Sequence, residues 1–170
     1  VFAAFDKFLK SYREHFPETS DELYSPKTPT NVLRALGLYC EQYQRDLSEF
    51  ETLYTEIAGT VPINDDQVLY FRMDSVCKDN QDRIFSLEHK TGSRLSRFWT
   101  DQWPLSIQVG TYTHVMNCLY DPKTVWGVRV NGTFFAKKTI TFSRVPVRKT
   151  LDHMKQWLWN VSWWADQIRW

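Results

Sequence analysis

The chain carries the stretch VLYFRMDSVCKDNQDRIFSLEHK from residue 68 to residue 90. Its first part, Val68–Val76, is rich in apolar, aromatic and β-branched residues, and Arg83–Leu87 is apolar again. The polar segment Lys78–Asp82 lies between these two runs and is typical of a turn. The stretch therefore predicts a β-hairpin, and its pairing decides how the rest of the chain can be arranged.

Charged residues gather at the open end of this hairpin. Side chains alternate faces along a strand, so Glu88 and Lys90 are predicted on one side and His89 on the other. Asp74 on the partner strand, at a matching level, would bring two carboxylates and an ammonium group together. Two carboxylates make an oxygen-rich site suited to Mg²⁺ or Mn²⁺, and a nearby lysine can orient or help deprotonate water. The alternative is a solvated cross-strand charge pair.

The composition indicates one globular domain. The chain has 170 residues, 42% of them hydrophobic, which is enough for a sizeable core. A net charge of +1 gives no global basic field, although a local basic channel remains compatible with it. Cys40, Cys77 and Cys118 are scattered, without a C-x-x-C pair, which argues against a zinc site or disulfides and favours a reducing cytoplasm. No run of apolar residues is long enough to suggest a membrane partner.

The order of predicted elements indicates an α/β fold with a mixed central sheet flanked by helices. Asn31 is a plausible cap for the second helix, Pro104 a first-turn residue, and Asn131-Gly132 a two-residue hairpin turn. In the last helix, one face carries Trp157, Val161, Trp164 and Ile168 and is predicted to be core. The predicted segments are a helix over Phe2–His15, a loop over Pro17–Pro29, a helix over Thr30–Tyr54, a strand over Glu51–Ile63, the hairpin, a helix from Pro104 to about Tyr120, strands over Thr124–Val130, Thr133–Lys137 and Ile140–Val147, and a helix over Thr150–Trp170.

A second pair of polar residues lies in the helix that follows Pro104. Gln108 and Tyr112 are four residues apart and so share one helix face, from which both can reach one phosphate or base edge. The alternative is a solvent-facing glutamine beside a packed tyrosine.

Together these residues resemble the PD-(D/E)xK nuclease superfamily. The resemblance rests on Asp74, on Glu88-His-Lys90 fourteen residues later, and on Gln-x-x-x-Tyr at Gln108–Tyr112. It is most similar to the RecB-type branch, which includes phage-encoded and CRISPR-associated exonucleases. Glu56, on a preceding strand, resembles the acidic residue that often comes before the aspartate. The similarity covers about residues 51 to 157.

The resemblance implies a restriction-endonuclease-like core and a set of roles. Asp74, Glu88 and Lys90 would be catalytic. Asp74, Glu88 and the backbone carbonyl of His89 would hold Mg²⁺ or Mn²⁺, with Glu56 as a further candidate. Gln108 and Tyr112 would steady the nucleic-acid strand. The chain would form a single nuclease domain, residues 1–170, with a helical N-terminal part (1–50) and a nuclease core (51–170).

Three features depart from the usual pattern of this branch. Many members carry an upstream metal-binding histidine, for which His15 is the candidate here, either as a ligand or as an exposed helix-end residue. Several relatives hold an iron–sulfur cluster, but this chain lacks their C-terminal cysteines, so no cluster is expected. The residues Arg72-Met-Asp74 stand where Gly-Arg-Ile-Asp is more usual.

The polar segment after Lys90 offers further candidates for phosphate binding. Thr91, Ser93, Arg94 and Arg97 provide hydroxyl and guanidinium donors, or else form a solvated basic loop. A DNA track could extend over the basic residues nearer the C-terminus, for which surface charge is the default interpretation; these are Lys137, Lys138, Arg144, Arg148 and Lys149.

The sequence thus predicts a Mg²⁺- or Mn²⁺-dependent DNA nuclease, an exonuclease acting on linear single- or double-stranded ends in phage or prokaryotic recombination and repair. Its expected location is the cytoplasm of a prokaryotic or phage-infected cell. The alternatives are a non-catalytic nucleic-acid-binding protein on a nuclease fold and a site-specific endonuclease of the same superfamily. The preference for DNA over RNA, the polarity of digestion and the oligomeric state stay open.

Overall fold

A computed structural model describes residues 1–168 as an α/β protein with a five-stranded mixed sheet flanked by helices. This confirms the fold class predicted from the order of elements. The helices are α1 (Phe2–Arg13), α2 (Pro29–Gln42), α3 (Asp46–Glu49), α4 (Arg97–Asp101), α5 (Ile107–Leu119) and α6 (Leu151–Ile168), and the strands are β1 (Phe50–Pro62), β2 (Val68–Asp79), β3 (Ile84–Gly92), β4 (Val125–Phe135) and β5 (Ile140–Val147); short 3₁₀ turns span Glu18–Tyr24 and Trp103–Leu105.

The sheet has the order β1-β2-β3-β4-β5. β1 pairs antiparallel with β2, and β2 pairs antiparallel with β3. β3 and β4 start side by side, because the Ile84 N–H donates to the Thr124 carbonyl (2.9 Å), and α5 forms the crossover that a parallel pair needs. β4 and β5 are joined by a short turn, closed by a 2.9 Å bond from the Ala136 N–H to the Thr139 carbonyl.

The predicted hairpin is confirmed as β2 and β3. Its ladder runs from Ser75 opposite Leu87 to Lys78 opposite Ile84. Asp79 closes the turn, since its carboxylate accepts the backbone N–H groups of Gln81 (3.0 Å) and Arg83 (3.1 Å). An aspartate that binds the backbone two residues on is a common turn device.

The long helix expected over Thr30–Tyr54 is wrong in its second half. α2 begins at Pro29, with Thr28 rather than Asn31 as the N-cap, and ends at Gln42. The chain becomes a strand at Phe50, where aromatic and β-branched residues pair with β2 along its length. The apolar spacing that suggested a continuous helix is overridden because these residues gain cross-strand partners.

The hairpin expected at Asn131-Gly132 is also wrong. β4 continues through both residues, and Asn131 is only 1% exposed, where its side-chain oxygen accepts Arg144 Nε at 2.6 Å. A buried central strand offers more cross-strand packing than an early turn would. The turn lies further on, between Phe135 and Ile140, and carries Lys137 and Lys138.

α5 begins three residues after Pro104, which belongs to a 3₁₀ turn, and Ser106 caps the helix by accepting the Val109 N–H (3.3 Å). α6 packs closely on α5. Trp157 Nε1 donates to the Ile107 carbonyl (3.1 Å), and a Cβ at Gly110 would stand 2.1 Å from the Trp157 ring, so only glycine fits there.

The predicted core face of α6 is correct for its first half alone. Trp157 and Val161 are buried and pack with Ile63, whereas Trp164 and Ile168 are exposed. The apolar periodicity of α6 extends further along the helix than the surface on which α6 packs. The pattern predicts which face is apolar, but it does not show where the partner surface ends.

The chain divides into two compact units. The first contains residues 1–46, 90–95 and 132–143, and includes the bidentate ion pair of Arg13 with Asp21 (2.7 and 2.8 Å). The second contains residues 47–89, 96–131 and the part from 144 onward, and holds a core of β-strand valines against α5. The single-domain organisation stays a prediction. Among residues 1–168, every helix is too short or too polar to cross a membrane.

Candidate functional site

β2 and β3 separate at the position where Asp74 would face Glu88. The last ladder pair is Ser75 with Leu87, so the next opposed pair in this register is Asp74 with Glu88. There the Asp74 carboxylate accepts the His89 backbone N–H at 2.7 Å. We call this point, with Asp74, Glu88 and His89, the strand fork. The register therefore places Asp74 and Glu88 at the same level of facing strands, as the sequence predicts.

Glu88 is buried at the fork, with 4% of its surface exposed. Gln108, in the first turn of α5, donates its side-chain amide to the Glu88 carboxylate (3.1 Å) and to the Tyr112 hydroxyl (2.7 Å). The Tyr112 hydroxyl in turn donates to the Arg72 carbonyl. Gln108 and Tyr112, predicted to share a helix face, therefore do so and tie α5 to both strands of the fork.

The charges at the fork act on Tyr112. Burial raises the pKa of Tyr112, and the negative charges of Glu88 and Asp74 raise it further. The hydrogen bond from Gln108 lowers this pKa, but the net result is a value of about 12. The phenol is therefore neutral at physiological pH and remains a hydrogen-bond donor. The charges of both Glu88 and Asp74 therefore act on the Tyr112 hydroxyl.

Glu56 is on β1, at the level of Asp74 on β2, because it lies between the pairs Thr55–Ser75 and Ile57–Met73. Its backbone has φ of 51°, a left-handed conformation that is unusual for a glutamate and costs energy. Its side chain binds the Arg72 guanidinium on the solvent-exposed surface. The structure therefore places Glu56 with Arg72, and a metal-binding role for Glu56 stays a prediction.

Arg72 is a residue of this site that sequence reasoning did not select. The hydrogen bond and the negative charge of Glu56 raise its pKa, and the charge of Asp74 adds to this. The one hint in the sequence is that Arg72 is a charged residue two positions before Asp74 on the same strand.

The remaining candidates lie at the end of β3 and in the segment that follows it. Lys90 is half-buried on β3, two residues beyond Glu88. Lys90, Thr91, Ser93 and Arg94 belong to the first compact unit, whereas Asp74, Glu88, Gln108 and Tyr112 belong to the second. Thr91 Oγ1 accepts Lys27 Nζ at 3.5 Å, and the side chains of Ser93, Arg94 and Arg97 are exposed. Their roles stay predictions.

The donor set at the fork fits a hard divalent cation. Mg²⁺ binds proteins through one or two carboxylates, and Asp74 and Glu88 supply two on neighbouring strands. Within residues 1–168, no three or more His, Cys, Asp or Glu side chains are grouped closely enough to hold a metal, so Glu56 and His15 do not complete such a group. In the part of the chain that the structure describes, Cys40, Cys77 and Cys118 are not in disulfides, and Cys77 is buried.

Comparison with known proteins assigns no family. No protein-family description and no curated protein matches the chain. Among solved structures, it is similar to the one named "Crystal structure of SSO0001", with 14% sequence identity, 91% of this chain and 67% of that chain covered, and a TM-score of 0.42.

Proposed function

We propose that this protein is a metal-dependent DNA nuclease, an exonuclease that hydrolyses phosphodiester bonds at DNA ends and has the catalytic arrangement of the PD-(D/E)xK superfamily. The observation that carries the proposal is the strand fork, where Asp74 and Glu88 are opposed and a helix amide binds the buried Glu88 carboxylate. Burying a carboxylate is costly unless it is hydrogen-bonded, and the Gln108 amide supplies one such bond to Glu88. The position of Glu88 at the level of Asp74 on the facing strand supports a functional role.

Each residue has a chemical task in this proposal. Asp74, Glu88 and the His89 carbonyl would hold Mg²⁺ or Mn²⁺, which supplies charge neutralisation at the phosphate and lowers the pKa of water when bound. Gln108 orients Glu88 through its 3.1 Å bond, and the neutral Tyr112 hydroxyl fixes Gln108. Lys90 orients or deprotonates the attacking water, and Thr91, Ser93 and Arg94 bind phosphates of the strand.

The cellular part of the proposal follows from the same chemistry. An enzyme that digests DNA ends acts where linear DNA arises, in recombination or repair in a phage-infected or prokaryotic cell. This assigns DNA as the partner and the cytoplasm as the site of action, and both depend on cleavage being demonstrated.

The test is digestion of end-labelled linear DNA, single- and double-stranded, beside closed circular DNA and single-stranded RNA, each with Mg²⁺, Mn²⁺ or EDTA. Wild type is compared with Lys90→Ala and with Lys78→Ala, a half-exposed lysine on β2 whose partners are Asp82 (2.9 Å) and Glu51 (3.9 Å). We expect metal-dependent loss of linear DNA that Lys90→Ala abolishes and Lys78→Ala leaves intact. Cleavage by Lys90→Ala at the wild-type rate would show that the role of Lys90 is wrong.

A second candidate function is nucleic-acid binding without hydrolysis. It is favoured by one observation, that within residues 1–168 no third acidic, histidine or cysteine side chain joins the two carboxylates as a metal group. Calorimetric titration with Mn²⁺ separates the two, because the nuclease binds Mn²⁺ and Asp74→Asn weakens that binding. Glu56→Gln in the same titration tests the contribution of Glu56. Cleavage of the closed circular DNA would instead support a site-specific endonuclease.

A further inference from the structure

Two exposed side chains, Tyr70 and Arg72, precede Asp74 on β2. Tyr70 is 85% exposed, and the Arg72 side chain is 73% exposed. Alternate residues of a strand point to the same side, so Tyr70 and Arg72 form a row on β2 that leads towards Asp74. The residues that alternate with this row, Leu69, Phe71 and Met73, pack with the core.

This row lies on a ribbon of two strands. The ladder between β2 and β3 ends at Ser75, whereas the ladder between β2 and β1 continues to Val68 opposite Pro62. The segment from Tyr70 to Asp74 therefore extends past the paired part of β3 and leads directly into the strand fork. A ligand lying along the ribbon would meet Tyr70, then Arg72, then the strand fork.

Arg72 is held in a way that allows exchange of its partner. It binds Glu56 at the surface, and Asp74 adds a second negative charge near it. Ion pairs between exposed side chains contribute little net stability. A phosphate offers the guanidinium planar, bidentate recognition at similar or better strength, so it can replace the Glu56 carboxylate.

We propose that Tyr70 and Arg72 bind the nucleotide that adjoins the scissile phosphate of a single-stranded DNA segment. The Tyr70 ring stacks on the base, and the Arg72 guanidinium binds the phosphate. Alternate strand residues are about 7 Å apart, a spacing comparable to that of successive phosphates in an extended nucleic-acid strand. This inference rests on the proposed function, since it takes the strand fork as the place of hydrolysis.

The base-stacking part is tested by binding of a fluorescein-labelled oligothymidylate in EDTA, where no metal-dependent cleavage occurs, followed by fluorescence anisotropy. Stacking on an aromatic side chain accounts for roughly 5- to 150-fold in affinity, so we expect Tyr70→Ala to weaken binding by about tenfold or more. Tyr70→Phe keeps the ring and should bind as wild type does. Tyr54→Ala is the matched control, because Tyr54 is an exposed tyrosine about 20 Å away along the same ribbon.

The phosphate part is tested by salt dependence. Losing one phosphate contact to single-stranded DNA lowers the slope of log affinity against log salt by about 0.7, which we expect for Arg72→Ala. Lys78→Ala removes another ion-paired cation from β2 and should leave the slope unchanged. Glu56→Gln should tighten binding in the wild-type background and have little effect in the Arg72→Ala background, because Glu56 then has no guanidinium to hold.

The outcomes separate this inference from the proposed function. If Tyr70→Ala and Arg72→Ala bind as wild type does, or if wild type fails to bind the oligonucleotide in either EDTA or Ca²⁺, the nucleotide site is overturned. Cleavage of linear DNA by the wild-type protein would still support the nuclease in that case. Weakened binding in both variants supports the nucleotide site even where no metal yields cleavage.

Discussion

Asp74 and Asp79 lie on the same strand, but their carboxylates accept hydrogen bonds from different kinds of donor. Asp79 is 7% exposed and accepts Arg83 Nε at 2.8 Å and two backbone N–H groups, while Arg129 approaches to 3.6 Å. At the strand fork, a backbone N–H reaches Asp74 and a side-chain amide reaches Glu88. The Asp79 carboxylate at the turn is thus paired with guanidinium groups, whereas the Asp74 carboxylate at the fork accepts a backbone N–H. That difference identifies Asp79 as an acid that stabilises the turn and leaves Asp74 for the metal-binding role proposed above.

The largest expected effect is on cleavage. Asp74→Asn removes a charge from the proposed metal site, and because electrostatic stabilisation by a metal amounts to several kcal/mol, we expect the rate to fall about 1,000-fold. Asp79→Asn should leave the rate per folded molecule unchanged. Both rates are measured on end-labelled linear DNA under the metal that supports wild-type cleavage. Equal losses in the two variants would remove the distinction between the fork and the turn.

Stability should respond in the reverse order. Asp79→Asn breaks charge-assisted hydrogen bonds in a buried position. It also removes the Asp79 carboxylate from Arg129, whose guanidinium carbon lies 3.8 Å from the centre of the Phe85 ring. We expect the free energy of unfolding to fall by about 2 kcal/mol, measured by urea denaturation. Asp74→Asn should lower it by less, because the amide can still accept the His89 N–H. A greater loss for Asp74→Asn would show that the fork is also a structural centre.

The pH dependence of this difference follows from the pKa of Asp79. Burial alone would raise that pKa, but the hydrogen bonds from the Arg83 side chain and from the backbone of Arg83 and Gln81 outweigh it and hold the pKa below its ordinary value of 3.8. A carboxyl with a lowered pKa adds stability that is present above its ordinary pKa and lost as pH falls through the lowered one. The gap in unfolding free energy between wild type and Asp79→Asn should therefore be constant down to about pH 4 and shrink below it. A gap that instead shrinks as pH rises would contradict this.

The sequence predicts those parts of the molecule whose interactions are local. The hairpin of β2 and β3 was predictable because apolar runs flank a polar turn, and Gln108 and Tyr112 were placed together because a four-residue spacing defines a helix face. The opposition of Asp74 and Glu88 followed from strand register. Each of these depends on residues close in sequence or on a simple period.

The errors come from partners distant in the chain. Phe50–Tyr54 continues a helical pattern but becomes β1 because β2 is available to pair with it. Asn131-Gly132 has the composition of a turn, but Arg144 binds the buried Asn131 side chain in a continuous strand. Arg72 was not selected because its significance depends on Glu56, sixteen residues earlier, and on the Tyr112 hydroxyl, forty residues later. No pattern in the sequence carries such contacts.

The smallest expected effect concerns the neutral network that orients the fork. Tyr112→Phe removes one hydroxyl from a buried position, where it donates to the Arg72 carbonyl and accepts Gln108 (2.7 Å). We expect a loss of about 1 kcal/mol in unfolding free energy, roughly half that of Asp79→Asn. The pKa of Tyr112 is raised from 10.0 to about 12, so its contribution is present below pH 10 and lost as pH rises towards 12. The gap between wild type and Tyr112→Phe should close over that interval.

Ultraviolet titration of the tyrosines gives an independent measurement of the same network. In wild type, one tyrosine should ionise near pH 12, and in Tyr112→Phe that component should be missing. Tyr70→Phe is the matched control, because it removes an exposed tyrosine from β2 and should leave the late component in place. If Tyr112→Phe retains the late component, the fork carboxylates do not act on this hydroxyl. The link between Glu88 and α5 would then rest on the hydrogen bond from Gln108 and not on the charge of Glu88 acting on Tyr112.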